Sequence, residues 1–172
     1  PRVHVRLVTP LLLCLAAAGL AACAKSARES DPGAVAAAYA AAGRHEEAAR
    51  EIDLAVRAHP GDVALRRQAA TIHADAGSTD RAVSHLEAAI ELAPDDAAAW
   101  IQLAELENGR NNVADAYVAY RRAAELAPDD IGAVSGLALT ADSLGFADEA
   151  RVAYARWAEL EGRQDGVVPG PR

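Results

Sequence analysis

Three prolines recur along this chain at a fixed interval. Pro60, Pro94 and Pro128 are spaced 34 residues apart. Alanines keep the same interval in two further sets, which are Ala48, Ala82, Ala116 and Ala150, and Ala55, Ala89 and Ala123. A period of this length indicates a stack of similar supersecondary units, each of which buries its apolar face only against its neighbours. The period therefore predicts a binding scaffold rather than an enzyme.

Composition indicates which side chains form the core, and net charge indicates which partners the protein can bind. Met is absent and Phe occurs once in 172 residues, so the predicted core consists of many small side chains, as in closely packed helices. The formal net charge is -8, and the sequence contains no basic run. We expect no nucleic acid partner, because binding to phosphates needs a basic face. Both cysteines precede the repeats, so no disulfide is expected within the repeat region.

The N-terminal segment is typical of a secretory signal. Arg2 and Arg6 precede an uncharged run from Leu7 to Ala24. A basic start followed by an apolar centre and small residues is the pattern of such a signal. The run is short for a membrane span, and Pro10 interrupts it.

Leu20-Ala21-Ala22-Cys23 resembles the lipobox of bacterial lipoproteins. The resemblance implies a signal peptide over residues 1–22 and a lipidated Cys23 that opens a tether over residues 23–31. Two or more acyl chains would hold the mature protein stably on its membrane. If the organism has two membranes, Ala24 after the cysteine favours the outer membrane and a domain that faces the periplasm. The alternatives are a signal peptide without lipid and an uncleaved anchor.

Four 34-residue units follow, over residues 29–62, 63–96, 97–130 and 131–164, and a flexible tail is predicted over 165–172. Each unit is predicted to form two antiparallel helices, A and B. The period prolines end the B helices. Residues in the left-handed conformation are predicted to end the A helices, namely Gly43, Gly77, Asn111 and Gly145. The predicted N-caps of the following A helices are Asp62, Asp96 and Asp130.

These units resemble the tetratricopeptide repeat, which has the same period. The third unit is the nearest match, with Trp100, Leu103, Ala116, Tyr120, Ala123 and Pro128. The fourth unit has Trp157 in place of a small residue and Gly162 in place of Pro, so it is predicted to be an atypical capping unit. The resemblance implies an all-α fold, a right-handed α-α superhelix of about four helix-turn-helix repeats. A continuous coiled coil does not fit, because the regular Gly and Pro would break it.

In the tetratricopeptide family, the A helices line a concave groove that binds a segment of a partner protein. Carrying over the groove-facing repeat positions gives nine candidates: Arg67, Thr71, Asp75, Ile101, Glu105, Asn108, Ser135, Leu139 and Asp142. The alternative is that these residues form a solvated face. The family's carboxylate clamp is not reproduced, because Thr71 stands where Asn is needed. Three acids and one base favour a neutral or basic segment.

Candidate catalytic and metal-binding groups are few, so we expect no enzyme activity, no metal and no cofactor. His45, His73 and His85 occupy different repeat positions on different helical faces, and we expect them not to converge on a metal, which needs three or four ligands in one shell. His73 is predicted to fill a core slot and the other two to lie on the surface. The sequence has no Gly-rich phosphate loop.

The sequence therefore predicts a membrane-anchored scaffold or adaptor of the bacterial envelope. It resembles the small repeat lipoproteins that assist assembly machines. The expected partners are a protein or peptide segment of an envelope assembly and, through the lipid anchor, the membrane. Two alternatives stay open: a self-associating structural solenoid, and a non-catalytic accessory subunit of an envelope enzyme. The sequence does not determine the oligomeric state.

Overall fold

A computed structural model describes residues 31–164. The predicted signal peptide, Cys23 and the predicted tail lie outside the described residues. Between 31 and 164, no helix is both long enough and apolar enough to cross a membrane.

The described chain is built from eight α-helices in four antiparallel pairs. The A helices are α1 Ala34–Ala41, α3 Val63–Asp75, α5 Ala97–Gly109 and α7 Ile131–Ser143. The B helices are α2 His45–Ala58, α4 Thr79–Leu92, α6 Val113–Leu126 and α8 Ala147–Gln164. Each helix packs against the next one along the chain. The predicted all-α helical repeat architecture is confirmed.

The turn from each A helix to its B helix depends on one residue in the left-handed conformation. The φ angles are 71° at Gly43, 73° at Gly77, 63° at Asn111 and 79° at Gly145. Glycine adopts this conformation without a Cβ penalty, and Asn is one of the few other residues that visits it routinely. The four predicted turn residues are thus confirmed.

An aspartate caps each of the last three A helices. The side chains of Asp62, Asp96 and Asp130 accept hydrogen bonds from the backbone N–H groups of Leu65, Ala98 and Ala133, at 3.0, 3.1 and 2.9 Å. Each carboxylate satisfies an N–H group that has no partner within the helix. The predicted caps are confirmed.

Removing the cap of α7 is expected to destabilise the protein measurably. Asp130→Ala leaves the Ala133 N–H without its acceptor, so the free energy of unfolding should fall by about 1 kcal/mol. Asp130→Asn keeps a capping oxygen and should stay close to the wild type. Urea unfolding of both variants measures the difference, and equal losses in the two would argue against a capping role.

The periodic alanines lie in the helix contacts. Ala48, Ala82 and Ala116 are fully buried, and Ala150 is 2% exposed. Ala89 and Ala123 of the second set are also fully buried. Small side chains at these positions let neighbouring helices approach closely, so a larger side chain would overpack the contact.

The last helix differs from the other B helices. α8 has 18 residues and continues past Gly162, where the earlier units have proline. Trp157 is half-buried and stacks on Tyr154, with ring centroids 6.1 Å apart. The absence of proline at this position allows the longer helix.

Candidate functional site

The A helices form the inner face of the stack. Besides packing on its neighbours in the chain, each A helix contacts the next A helix, α1 with α3, α3 with α5 and α5 with α7. In a curved stack, the elements on the inside of the curve lie closer together. The surface of α3, α5 and α7 on this side is called the groove below.

A cleft of about 200 Å³ opens in the groove between α3 and α5. Its lining consists of Ala70, Thr71, Ala74, Asp75, Leu86, Gln102, Glu105 and Leu106. Three of the nine predicted groove residues, Thr71, Asp75 and Glu105, therefore meet in one cleft. Small alanines and two leucines form its apolar part.

The other predicted groove residues lie outside this cleft. Asn108, Leu139 and Asp142 are exposed, with Leu139 51% exposed. Ser135 is half-buried, and its hydroxyl donates to the backbone carbonyl of Gly132 at 3.3 Å. Ile101 is half-buried and packs against the core cluster around Tyr120, so this side chain contributes to packing.

Arg67 is engaged within the fold. Its Nε lies 3.0 Å from Oδ2 of Asp96, and the two side chains are only 31% and 21% exposed. Asp96 also caps α5 through the Ala98 N–H, so the ion pair ties α3 to the start of the next A helix. The one base among the predicted groove residues is therefore neutralised by an internal partner.

The cleft is rich in hydrogen-bond acceptors. Asp75 and Glu105 are exposed, and neither has a Lys, Arg or His partner at ion-pair distance within residues 31–164. Oε1 of Gln102 is buried and has no hydrogen-bond partner in the same part of the chain. Burial, and after it the negative charge of Glu105, raises the pKa of the Tyr120 hydroxyl. The cleft therefore suits a donor or a cation.

Sequence reasoning missed five of the eight residues that line this cleft, including the polar Gln102 and the apolar Leu106. Gln102 donates from Nε2 to the Thr71 hydroxyl at 3.5 Å, across the gap between α3 and α5. Ile101, the predicted groove residue next to Gln102, packs against the core instead. A helical wheel of α5 places Gln102 and Leu106, four residues apart, on one face, which was the available signal.

The structure brings His73 and His85 together, contrary to the expectation that they lie on different helical faces. Their rings stack at 5.2 Å between centroids, with planes 13° apart. Nε2 of His73 is 2.8 Å and Nε2 of His85 is 3.7 Å from Oδ1 of Asp53. His73 is fully buried, as expected, but the His85 side chain is only 18% exposed and is not a surface residue. The two residues occupy different repeat positions, but the packing of α3 against α4 brings their side chains together.

The environment of His85 disfavours its charged form. Burial, together with the charges of His73 and Arg66, lowers the pKa of His85, and the opposing effect of Asp53 is smaller. The imidazole of His85 is therefore held neutral over a wider pH range than a free histidine.

Comparison with known proteins supports the repeat architecture. The tetratricopeptide repeat family model matches residues 63–106. The crystal structure of MamA is similar, with 19% identity over 83% of this chain and 86% of that chain, at a TM-score of 0.72. The MamA RS-1 ArsTM double mutant has 23% identity over 81% of both chains and a TM-score of 0.70. No curated protein matches the sequence.

A third similar structure contains a bound peptide. It is the first tetratricopeptide repeat domain of Spaghetti (RPAP3) bound to the HSP90 peptide SRMEEVD, with 20% identity over 67% of this chain and 95% of that chain, at a TM-score of 0.61. At these identities the similarities show the fold. The structure thus has the tetratricopeptide-repeat fold, which is typically a non-catalytic module for protein interactions, and residues 63–106 also match the family model in sequence.

Proposed function

We propose that the protein is a lipid-anchored scaffold of the bacterial envelope that binds an extended, neutral or basic segment of a partner protein in the groove. The observation that carries this proposal is the acceptor-rich cleft between α3 and α5. Among residues 31–164, Asp75 and Glu105 have no cationic partner at ion-pair distance, and the buried Oε1 of Gln102 has no hydrogen-bond donor. Buried polar atoms in proteins nearly always have a hydrogen-bond partner. A backbone N–H group or a basic side chain of a bound protein segment would donate the hydrogen bond that this oxygen lacks.

The negative charge of the cleft determines which kind of partner segment it can bind. RPAP3 is bound to a peptide, SRMEEVD, that contains three acids. In this chain the only base among the predicted groove residues, Arg67, is paired with Asp96. Asp75 and Glu105 would repel an acidic peptide. We therefore expect a segment with Lys or Arg near an apolar residue that packs on the half-buried Leu106 in the cleft wall.

The first test is co-purification of the full-length protein from its own cells with a charge-reversed cleft. In Asp75→Lys/Glu105→Lys, a basic segment meets repulsion in place of attraction, so partner recovery should fall about tenfold or more. The matched control is Glu87→Lys/Glu91→Lys, which changes the same charge at exposed positions of α4. The control should keep the partner. Equal recovery of the partner with both variants would show that the groove does not bind it.

The second test concerns the anchor. The lipobox resemblance at Cys23 supports a lipid anchor, and Cys23→Ser removes the thiol that the lipid needs. The variant is expected to leave the membrane fraction and to lose incorporation of labelled palmitate. Ala24→Asp is the control for the predicted outer-membrane address, because it should keep the lipid and change only which membrane holds the protein. Lipid incorporation in Cys23→Ser would contradict the proposal that Cys23 carries the lipid.

Self-association is a second candidate function, and exposed apolar residues on the B helices favour it. Val118 of α6 and Val152 of α8 occupy the same repeat position and are 51% and 63% exposed. A repeated apolar position on the outer face suits contact with a second copy. Light scattering of the detergent-solubilised protein decides this, since a mass that rises with concentration and falls in Val118→Ser/Val152→Ser would support assembly.

A further inference from the structure

Three side chains from three helices converge at the junction of the first and second units. Asp53 comes from α2, His73 from α3 and His85 from α4, and we call them the histidine cluster. One ligand atom of each residue lies within 4.8 Å of those of the other two. The cluster is separate from the groove. Thr71 and His73 are two residues apart in α3, so they lie on nearly opposite sides of the helix, since each residue turns the helix by about 100°.

The chemistry of the cluster is that of a metal ligand set. Imidazole nitrogens and carboxylate oxygens are common ligands of zinc, and Nε2 is the usual ligating atom of histidine. Both Nε2 atoms approach the same carboxylate oxygen of Asp53, at 2.8 and 3.7 Å. A hydrogen bond accounts for the shorter contact, whereas 3.7 Å exceeds hydrogen-bond length. The approach of the second imidazole is therefore unexplained by hydrogen bonding to this oxygen.

We propose that Asp53, His73 and His85 bind a divalent transition-metal ion, of which Zn²⁺ is the best match, and that the ion joins the first repeat to the second. Ligand atoms of a tetrahedral zinc site lie about 3.3 Å apart, as follows from zinc–ligand distances of about 2.0–2.2 Å. The present separations reach up to 4.8 Å, and the two stacked ring planes are nearly parallel, so binding requires the partly exposed His85 ring to rotate until its Nε2 lone pair points at the ion. A water molecule completes the coordination from the partly exposed side of Asp53 and His85.

Two features of the surroundings limit the affinity. Nδ1 of His73 is buried with no hydrogen-bond partner among the described residues, so no second group orients that ring, which typically costs 10–100-fold in metal affinity. Arg81 also competes for the carboxylate, with its NH1 3.8 Å from Oδ2 of Asp53. The Arg81 side chain is 68% exposed and is free to turn into solvent when a cation binds.

The test is a titration of the purified full-length protein with Zn²⁺ after removal of metal by a chelator. Calorimetry should show one equivalent bound through the cluster. His85→Gln, which keeps a polar side chain at a partly exposed position, should weaken that binding about 100-fold or more. Arg81→Ala should strengthen it severalfold, since the competing cation is gone. At a Zn²⁺ concentration of about 100 Kd, the melting temperature of the wild type should rise by about 5–10 °C.

The controls separate the cluster from surface histidines and from misfolding. His45→Gln/His59→Gln removes two exposed histidines and should bind Zn²⁺ like the wild type. Circular dichroism in chelator establishes that His85→Gln is folded, and its melting temperature should not respond to Zn²⁺. The proposal is overturned if His85→Gln binds as tightly as the wild type, or if the double variant loses the binding instead.

Discussion

Replacing Leu86 by Ala is expected to lower the free energy of unfolding by about 2–5 kcal/mol. Leu86 is fully buried in the contact between the second and third units. The other buried members of its cluster are all alanines, namely Ala70, Ala82, Ala89 and Ala99. Alanine has no rotamer with which to fill a neighbouring void, so most of the cavity left by Leu86 should persist.

Leu92→Ala is the matched control for this experiment, because it makes the same substitution on the same helix at a residue that is 48% exposed. The control should change the free energy of unfolding by no more than about 0.5 kcal/mol. Urea unfolding, extrapolated to water, gives both values. A loss in Leu86→Ala no larger than that in Leu92→Ala would show that the alanine-rich contact does not depend on one large side chain.

Replacing Gly136 by Val is expected to lower the free energy of unfolding by about 1–3 kcal/mol through overpacking. Gly136 lies in α7 against Tyr120 of α6, and a Cβ atom at this position would overlap the carbons of the tyrosine ring. Tyr120 is 7% exposed and belongs to the core, so its ring has little room to move. The close approach of α6 and α7 therefore requires a residue without a side chain.

Gly109→Val is the control for this second prediction. A Cβ atom at Gly109 would meet no atom within 4 Å, and valine favours the helix over glycine. This variant is expected to be neutral or slightly stabilised in thermal unfolding. A stable Gly136→Val protein, equal to Gly109→Val, would mean that the ring of Tyr120 moves aside at little cost.

The architecture was predictable because it depends on residues that act locally. A left-handed turn needs Gly or Asn, and a helix start with a free N–H needs a short polar side chain. Gly43 and Asp62 meet these two requirements and can be recognised in the sequence. Equivalent residues recur every 34 positions, which predicts a stack of repeats. The small alanines at helix contacts follow from the same period.

The details of the site were not predictable to the same degree, because they depend on how one helix is rotated against another. Arg67 was expected to face a partner, but the cap of the next A helix, Asp96, lies within reach of its guanidinium. His73 and His85 belong to different repeat positions, and only the packing of α3 on α4 shows that their rings stack. Repeat position alone therefore identifies a face, and not the contacts made on it.

We propose that the groove, rather than the outer face, holds the partner. We would place a photo-crosslinking amino acid in the full-length protein at Thr71, in the cleft, and separately at Val118, which is 51% exposed on α6. In native cells, Thr71 is predicted to crosslink to a different protein through a neutral or basic segment, and Val118 is predicted to give no such product. A partner captured from Val118 and not from Thr71 would show that the outer face of the B helices, and not the groove, holds the partner.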